Sequence, residues 1–155
     1  MNKLYILIAL TISFTVSAQI ATTGTNNSGL NASAIGFNTT ASNTVSTAMG
    51  RETLASGVSS TAMGYQTKAT NTAATAMGDN STASGVTSTA IGDNSTASGE
   101  TSIAMGFETE ATYSASIAMG YQTSSTEGAS TAMGFQTTAS GFGSTSIGYQ
   151  TTASG

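Results

Sequence analysis

The chain has 155 residues, 18 of them glycine, and contains no proline, cysteine, histidine or tryptophan. Only 6% of it is charged, against roughly 25% in an ordinary globular domain. Without His or Cys, the usual acyl-transfer triads and thiol nucleophiles cannot be assembled. Seven acids stand against three cations, so there is no basic patch for nucleic acid.

The first element is a secretory signal. Lys3 supplies a short basic start, Leu4 to Val16 is a mainly apolar run, and Val16-Ser17-Ala18 places small residues before Gln19. The run is shorter than the roughly 20 residues that span a bilayer. Residues 1–18 are therefore expected to be cleaved after Ala18, and the given chain is expected to make no membrane insertion. Residues 19–31 are polar and outside the pattern that follows. They read as an N-terminal cap over the open edge of a solenoid or as a disordered lead-in, with neither favoured.

Residues 32–155 are a repeat array. Gly36, Gly50, Gly64, Gly78, Gly92, Gly106, Gly120, Gly134 and Gly148 follow one another at intervals of fourteen without a slip. A fixed short period of this kind marks stacked, solenoid-type coils. Just before each glycine stands Ile35, Met49, Met63, Met77, Ile91, Met105, Met119, Met133 or Ile147. This column is expected to turn inward as the core. One step earlier come Ala34, Ala48, Ala62, Ala76, Ala90, Ala104, Ala118 and Ala132, with Ser146 in the ninth unit. This all-small column is expected to face a partner chain.

Fourteen residues suit two short strands of about five residues, each followed by a tight turn. Thr and Gly at these frequencies disfavour helix. In Ser-Thr-Ala-Met-Gly, alternation puts Thr and Met on one face and Ser, Ala and Gly on the other. Gly or Asn, seven residues after the column glycine in seven of nine units, suits a turn with positive φ. Nine coils at about 4.8 Å each make a rod of roughly 40 Å. One Met or Ile per coil is a thin core, so the rod is expected to bury a second face by oligomerising.

These residues carry a resemblance. Ser88-Thr-Ala-Ile-Gly-Asp-Asn-Ser-Thr-Ala-Ser-Gly99 and Asn31-Ala-Ser-Ala-Ile-Gly36 resemble the head repeats of trimeric autotransporter adhesins, the YadA-like head. Their motif runs Asn-Ser-Val-Ala-Ile-Gly-x-x-Ser-x-Ala-x-Gly. The resemblance covers about residues 31–155. It implies a left-handed parallel β-roll, a homotrimer, and display at the surface of a Gram-negative-type bacterium or outside the cell. It also implies adhesion to a host molecule, a surface or another copy. Two departures stand out. Thr replaces Val in most units, with Ile103 and Ile117 retaining a large apolar group, and Met often replaces Ile. The array runs to Gly155 with neither stalk nor membrane strands after it, so the reading expects a longer chain or a fibre anchored otherwise.

Few residues could carry chemistry, and no cofactor is expected. A Ser–Lys pair built on Lys68 lacks any supporting motif. Asp79 and Asp93 fall at one site in successive coils, where they read as a calcium pair or, better, as a solvated turn. The place after the column glycine is more informative: Phe107, Tyr121, Phe135 and Tyr149 would form a ladder along one edge. It either stabilises the turn by stacking or offers an exposed strip to a ligand. Three functions follow: a surface adhesin head that also acts as a rigid spacer, the structural shaft of a surface or phage-tail-like fibre whose active or chaperone domain is expected in a missing C-terminal part, and, from a different class, an ice-binding solenoid. The last wants two Thr columns two residues apart on a flat strand, whereas the Thr columns three before and three after the glycine pair with Met and Ala.

Overall fold

The computed structural model describes residues 23–155. The expected signal segment lies outside them. The described chain is a parallel β-solenoid in which each fourteen-residue coil contributes one strand to each of two sheets.

The long strands are Ser33–Phe37, Thr47–Arg51, Thr61–Tyr65, Thr75–Asp79, Thr89–Asp93, Ile103–Phe107, Ile117–Tyr121, Thr131–Phe135 and Thr145–Tyr149. They form a nine-stranded sheet in chain order. Pairing is in register at one coil's separation, so Ala90 lies beside Ala104, Ile91 beside Met105 and Gly92 beside Gly106. The second sheet is built from ten strands of two residues, from Asn26–Asn27 through Thr40–Ala41 to Thr152–Ala153. Each coil therefore holds one five-residue and one two-residue strand rather than two of about five.

The interior is made of small side chains only. Ala48, Ala62, Ala90 and Ala118 on the long strands, and Ala41, Ala69, Ala97 and Ala139 on the short ones, have no exposure at all. Between them lie Thr39, Thr53, Thr67, Ser81 and Ser95, with Ser46, Ser60, Ser88 and Ser102 on the other side, all buried. The alanine column, and not the Met and Ile column, therefore forms the interior. Met49, Met63, Met77, Ile91, Met105, Met119 and Met133 are half-buried on the outer face of the long sheet, as is Ile35, and Ile147 is 63% exposed. Ala48 to Ala132, expected to face a partner, fill their own coil, with Ala34 half-buried at the start. The alternation was right and its direction was not. A loop of fourteen residues closes too tightly to admit a Met, and the strand can place only one face inside.

The turns are also placed differently. Positive φ falls two residues after the column glycine (Asn38, Gln66, Asn94, Gln122) and nine after it (Val45, Ser59, Ala73, Thr87, Ala115, Ala129). Gly57, Gly85 and Gly99, seven after the column glycine, take no positive φ; a Cβ there would overlap the backbone of the next coil. The turns hold because each positive-φ N–H is paired with the coil before it: Gln122 N donates to Phe107 O at 2.8 Å and Ala129 N to Ser114 O at 3.0 Å. Asn71 clamps one corner, its Nδ2 donating to Ser84 O at 3.1 Å and its Oδ1 accepting from Thr72 N at 2.9 Å.

Residues 23–31 follow the coil path despite their unrelated sequence. Thr23 bridges to Phe37, Asn26 and Asn27 pair with Thr40 and Ala41, and Gly24 and Asn31 take the two positive-φ corners.

Candidate functional site

Aromatic, charged and amide side chains stand one and two residues after the column glycine, at the corner where each long strand ends. In the last four coils this corner is a ladder. Phe107 and Tyr121 stack with ring centroids 4.9 Å apart and planes within 11°. Tyr121 and Phe135 follow at 4.8 Å and 4°, and Phe135 and Tyr149 at 5.2 Å and 10°. The spacing is that of neighbouring strands, so the register itself sets the stack. Each such pair contributes about 0.5–1.5 kcal/mol beyond its burial.

A second ladder runs beside the first. Gln122 Nε2 donates to Glu108 Oε2 at 2.7 Å, Gln136 Nε2 to Gln122 Oε1 at 2.9 Å, and Gln150 Nε2 to Gln136 Oε1 at 2.9 Å. The chain of amides points one way and ends on a carboxylate, which makes it a series of mutually polarising hydrogen bonds.

In the first coils a cation takes the place of a ring. The Arg51 guanidinium lies 5.7 Å from the Phe37 centroid and 5.4 Å from that of Tyr65, a cation–π sandwich. Glu52 receives Gln66 Nε2 at 2.8 Å and Arg51 Nε at 3.2 Å. The Gln66 hydrogen bond, helped by the Arg51 charge, holds the Glu52 carboxyl below its ordinary pKa.

Asp79 and Asp93 separate the two stacked runs. Their neighbours tie the corner together: Asn80 Nδ2 donates to Asn94 Oδ1 at 2.6 Å, and Asn94 Nδ2 to Asp93 Oδ1 at 2.8 Å. Among the described residues no cluster of three acidic, His or Cys side chains could hold a metal ion. Lys68 projects, exposed, from a short strand.

The expected aromatic residues are therefore brought together, with Tyr121 40%, Phe135 37% and Tyr149 67% exposed. The faces of Tyr121 and Phe135 are covered by one another and by their neighbours, so what they present is ring edges and, from tyrosine, a hydroxyl. Stacking a sugar or base on either ring is closed off. The amide ladder and the Arg51 sandwich escaped the sequence reading, although the column Asn38, Glu52, Gln66, Asn80, Asn94, Glu108, Gln122, Gln136, Gln150 holds nothing but amides and acids and could have signalled them.

A pair of hydroxyl columns is also present, displaced from where the sequence reading sought it. Thr40 and Ser42, Thr82 and Ser84, Thr96 and Ser98, and Thr138 and Ser140 flank buried alanines on the short strands. Leu54, Lys68 and Glu110 interrupt the array, leaving no long flat run of the kind an ice lattice would match.

The comparisons with known proteins fit this architecture. The family model described as YadA head domain repeat (2 copies) matches residues 28–53, 55–81, 83–109, 114–138 and 139–155. No curated protein matches the chain.

Proposed function

The chain belongs to the YadA head domain repeat family, and from that premise we propose that it is the head of a trimeric surface adhesin, a rigid array that carries a binding surface away from the cell. Membership of that family suggests an adhesive or structural domain displayed at the cell surface. One observation carries the trimeric reading: every coil keeps its large apolar side chain outside. The outer face of the long sheet is lined by Met and Ile together with Thr47, Thr61, Ile103, Ile117 and Thr131, all half-buried except Ile147 at the last coil. Soluble monomers rarely expose so continuous an apolar face. Nine five-residue strands at about 4.8 Å spacing and about 3.3 Å per residue make this face roughly 700 Å² in extent.

The partner face is thus the Met and Ile column, where the sequence reading had placed alanine. Light scattering of the secreted chain at micromolar concentration should give the mass of three chains; the mass of one chain would overturn the reading. Beads coated with the protein should cling to one another or to protein-coated surfaces. Failure in every such assay would favour the second reading, an inert fibre shaft, for which the mutually covered ring faces already speak.

A further inference from the structure

The aromatic ladder borders the apolar face, and its ring edges remain uncovered. We propose that it is a seam between chains: the edges of Phe107, Tyr121, Phe135 and Tyr149 pack against the opposite corner of a neighbouring copy of this chain. The inference rests on the trimeric reading and adds which surfaces meet.

The long sheet is bounded by two corners. At one end of each strand stands the residue after the column glycine. At the other end, before the strand begins, stands the positive-φ residue nine after the preceding glycine. That second corner is exposed throughout: Val45, Ser59, Ala73, Thr87, Thr101, Ala115, Ala129 and Gly143. In a closed three-fold arrangement each chain offers one corner to one neighbour and the other corner to the second, a heterologous contact. The ladder then meets this column and not itself.

The two columns are complementary over the last three coils. The strands that end in Tyr121, Phe135 and Tyr149 begin behind Ala115, Ala129 and Gly143, whereas the one that ends in Phe107 begins behind Thr101. Of the two strands that end in aspartate, that of Asp93 begins behind Thr87 and that of Asp79 behind Ala73. Within one chain this matching serves nothing, because a five-residue strand of about 17 Å separates the corners. Between chains at equal height it makes room for rings. Over the last three rungs neither corner carries a charged side chain that would have to be desolvated: Ala115, Ala129 and Gly143 are apolar or without a side chain, and the rings of Tyr121, Phe135 and Tyr149 are flanked by the neutral Gln122, Gln136 and Gln150; Glu108, beside Phe107, is the one acid along the ladder. Edge-on contact is also the one mode left open to rings whose faces are already stacked.

The chain contains no cysteine or tryptophan, so both can serve as single reporters. Phe135→Cys combined with Ala129→Cys in one chain should give, on oxidation, a reducible covalent trimer, while each single variant stays uncrosslinked. Phe135→Trp, which keeps a ring in the stack, covers the case in which the paired cysteines disturb folding. Its emission should be blue-shifted and shielded from acrylamide in the trimer, and red-shifted on dissociation. A wild-type mass of three chains with no disulfide in a folded double variant, or with solvent-exposed Trp emission, overturns the seam and leaves the trimer standing. A wild-type mass of one chain overturns both.

Discussion

Thr67 lies wholly inside its coil with a hydroxyl that meets no hydrogen-bond partner, and Thr39, Thr53, Thr123 and Thr137 repeat the situation. Serine in the same column behaves differently: Ser81 and Ser95 each donate to the carbonyl of the next column glycine at 3.0 Å. Thr109 donates to Ser95 Oγ at 2.8 Å, whereas the five threonines above are left without the partner that serine reaches. A buried hydroxyl without a partner costs about 1–3 kcal/mol relative to a satisfied one. Thr67→Val, which keeps the shape and removes the hydroxyl, should therefore leave stability unchanged or raise it by about 1 kcal/mol in a urea titration. A loss of about 1 kcal/mol would show that the hydroxyl is bonded after all. The outline of this column was readable in the sequence as Thr or Ser at fixed spacing; its burial was not, because Ser and Thr are ordinarily surface residues.

At the scale of the coil, the column glycine does the most. Gly106 has φ 136, outside the reach of ordinary L-residues, and a Cβ there would overlap the carbonyl oxygen of Gly120 in the next coil. Gly106→Ala should cost about 3 kcal/mol or more, visible as a lowered melting temperature by circular dichroism. An unchanged melting point would mean that the coils do not stack so closely. The two corner columns carry a milder strain, with Val45, Thr87 and Thr101 held at φ 54–57 although β-branched. The paired N–H groups described above hold them there. The period, the strand residues and the need for glycine were all legible in the repeat. The choice of corner was not, since Glu, Gln, Ala and Thr give no local sign of positive φ and obtain it from the ladder of coils above and below.

For the whole rod, the decisive property is that its apolar side chains are outside. Met119 and Ile117 stand half-buried on the long sheet's outer face, over an interior of Ala118, Ser116 and Thr123. Met119→Lys should leave that interior intact while placing a cation, repeated in every chain, in the proposed interface. An uncompensated buried charge costs about 3–5 kcal/mol, so light scattering should show the trimer dissociating while the far-ultraviolet circular dichroism of the β-rod persists. A mass that stays at three chains would move the interface to another face.

What the sequence determined by itself is the architecture: the fourteen-residue period dictates in-register coils, because identical side chains at identical spacing pack best on copies of themselves. It also sorted the strand residues correctly into two faces, since alternation is a property of the extended backbone alone. Which face is inside was decided only by tertiary structure. Hydrophobicity argues for burying Met and exposing Ala, and in most folds it would prevail. Here the interior of a single coil has room for Ala, Ser and Thr only, so volume overrides hydrophobicity and the methionines are left outside, on the face where we expect the partner chains.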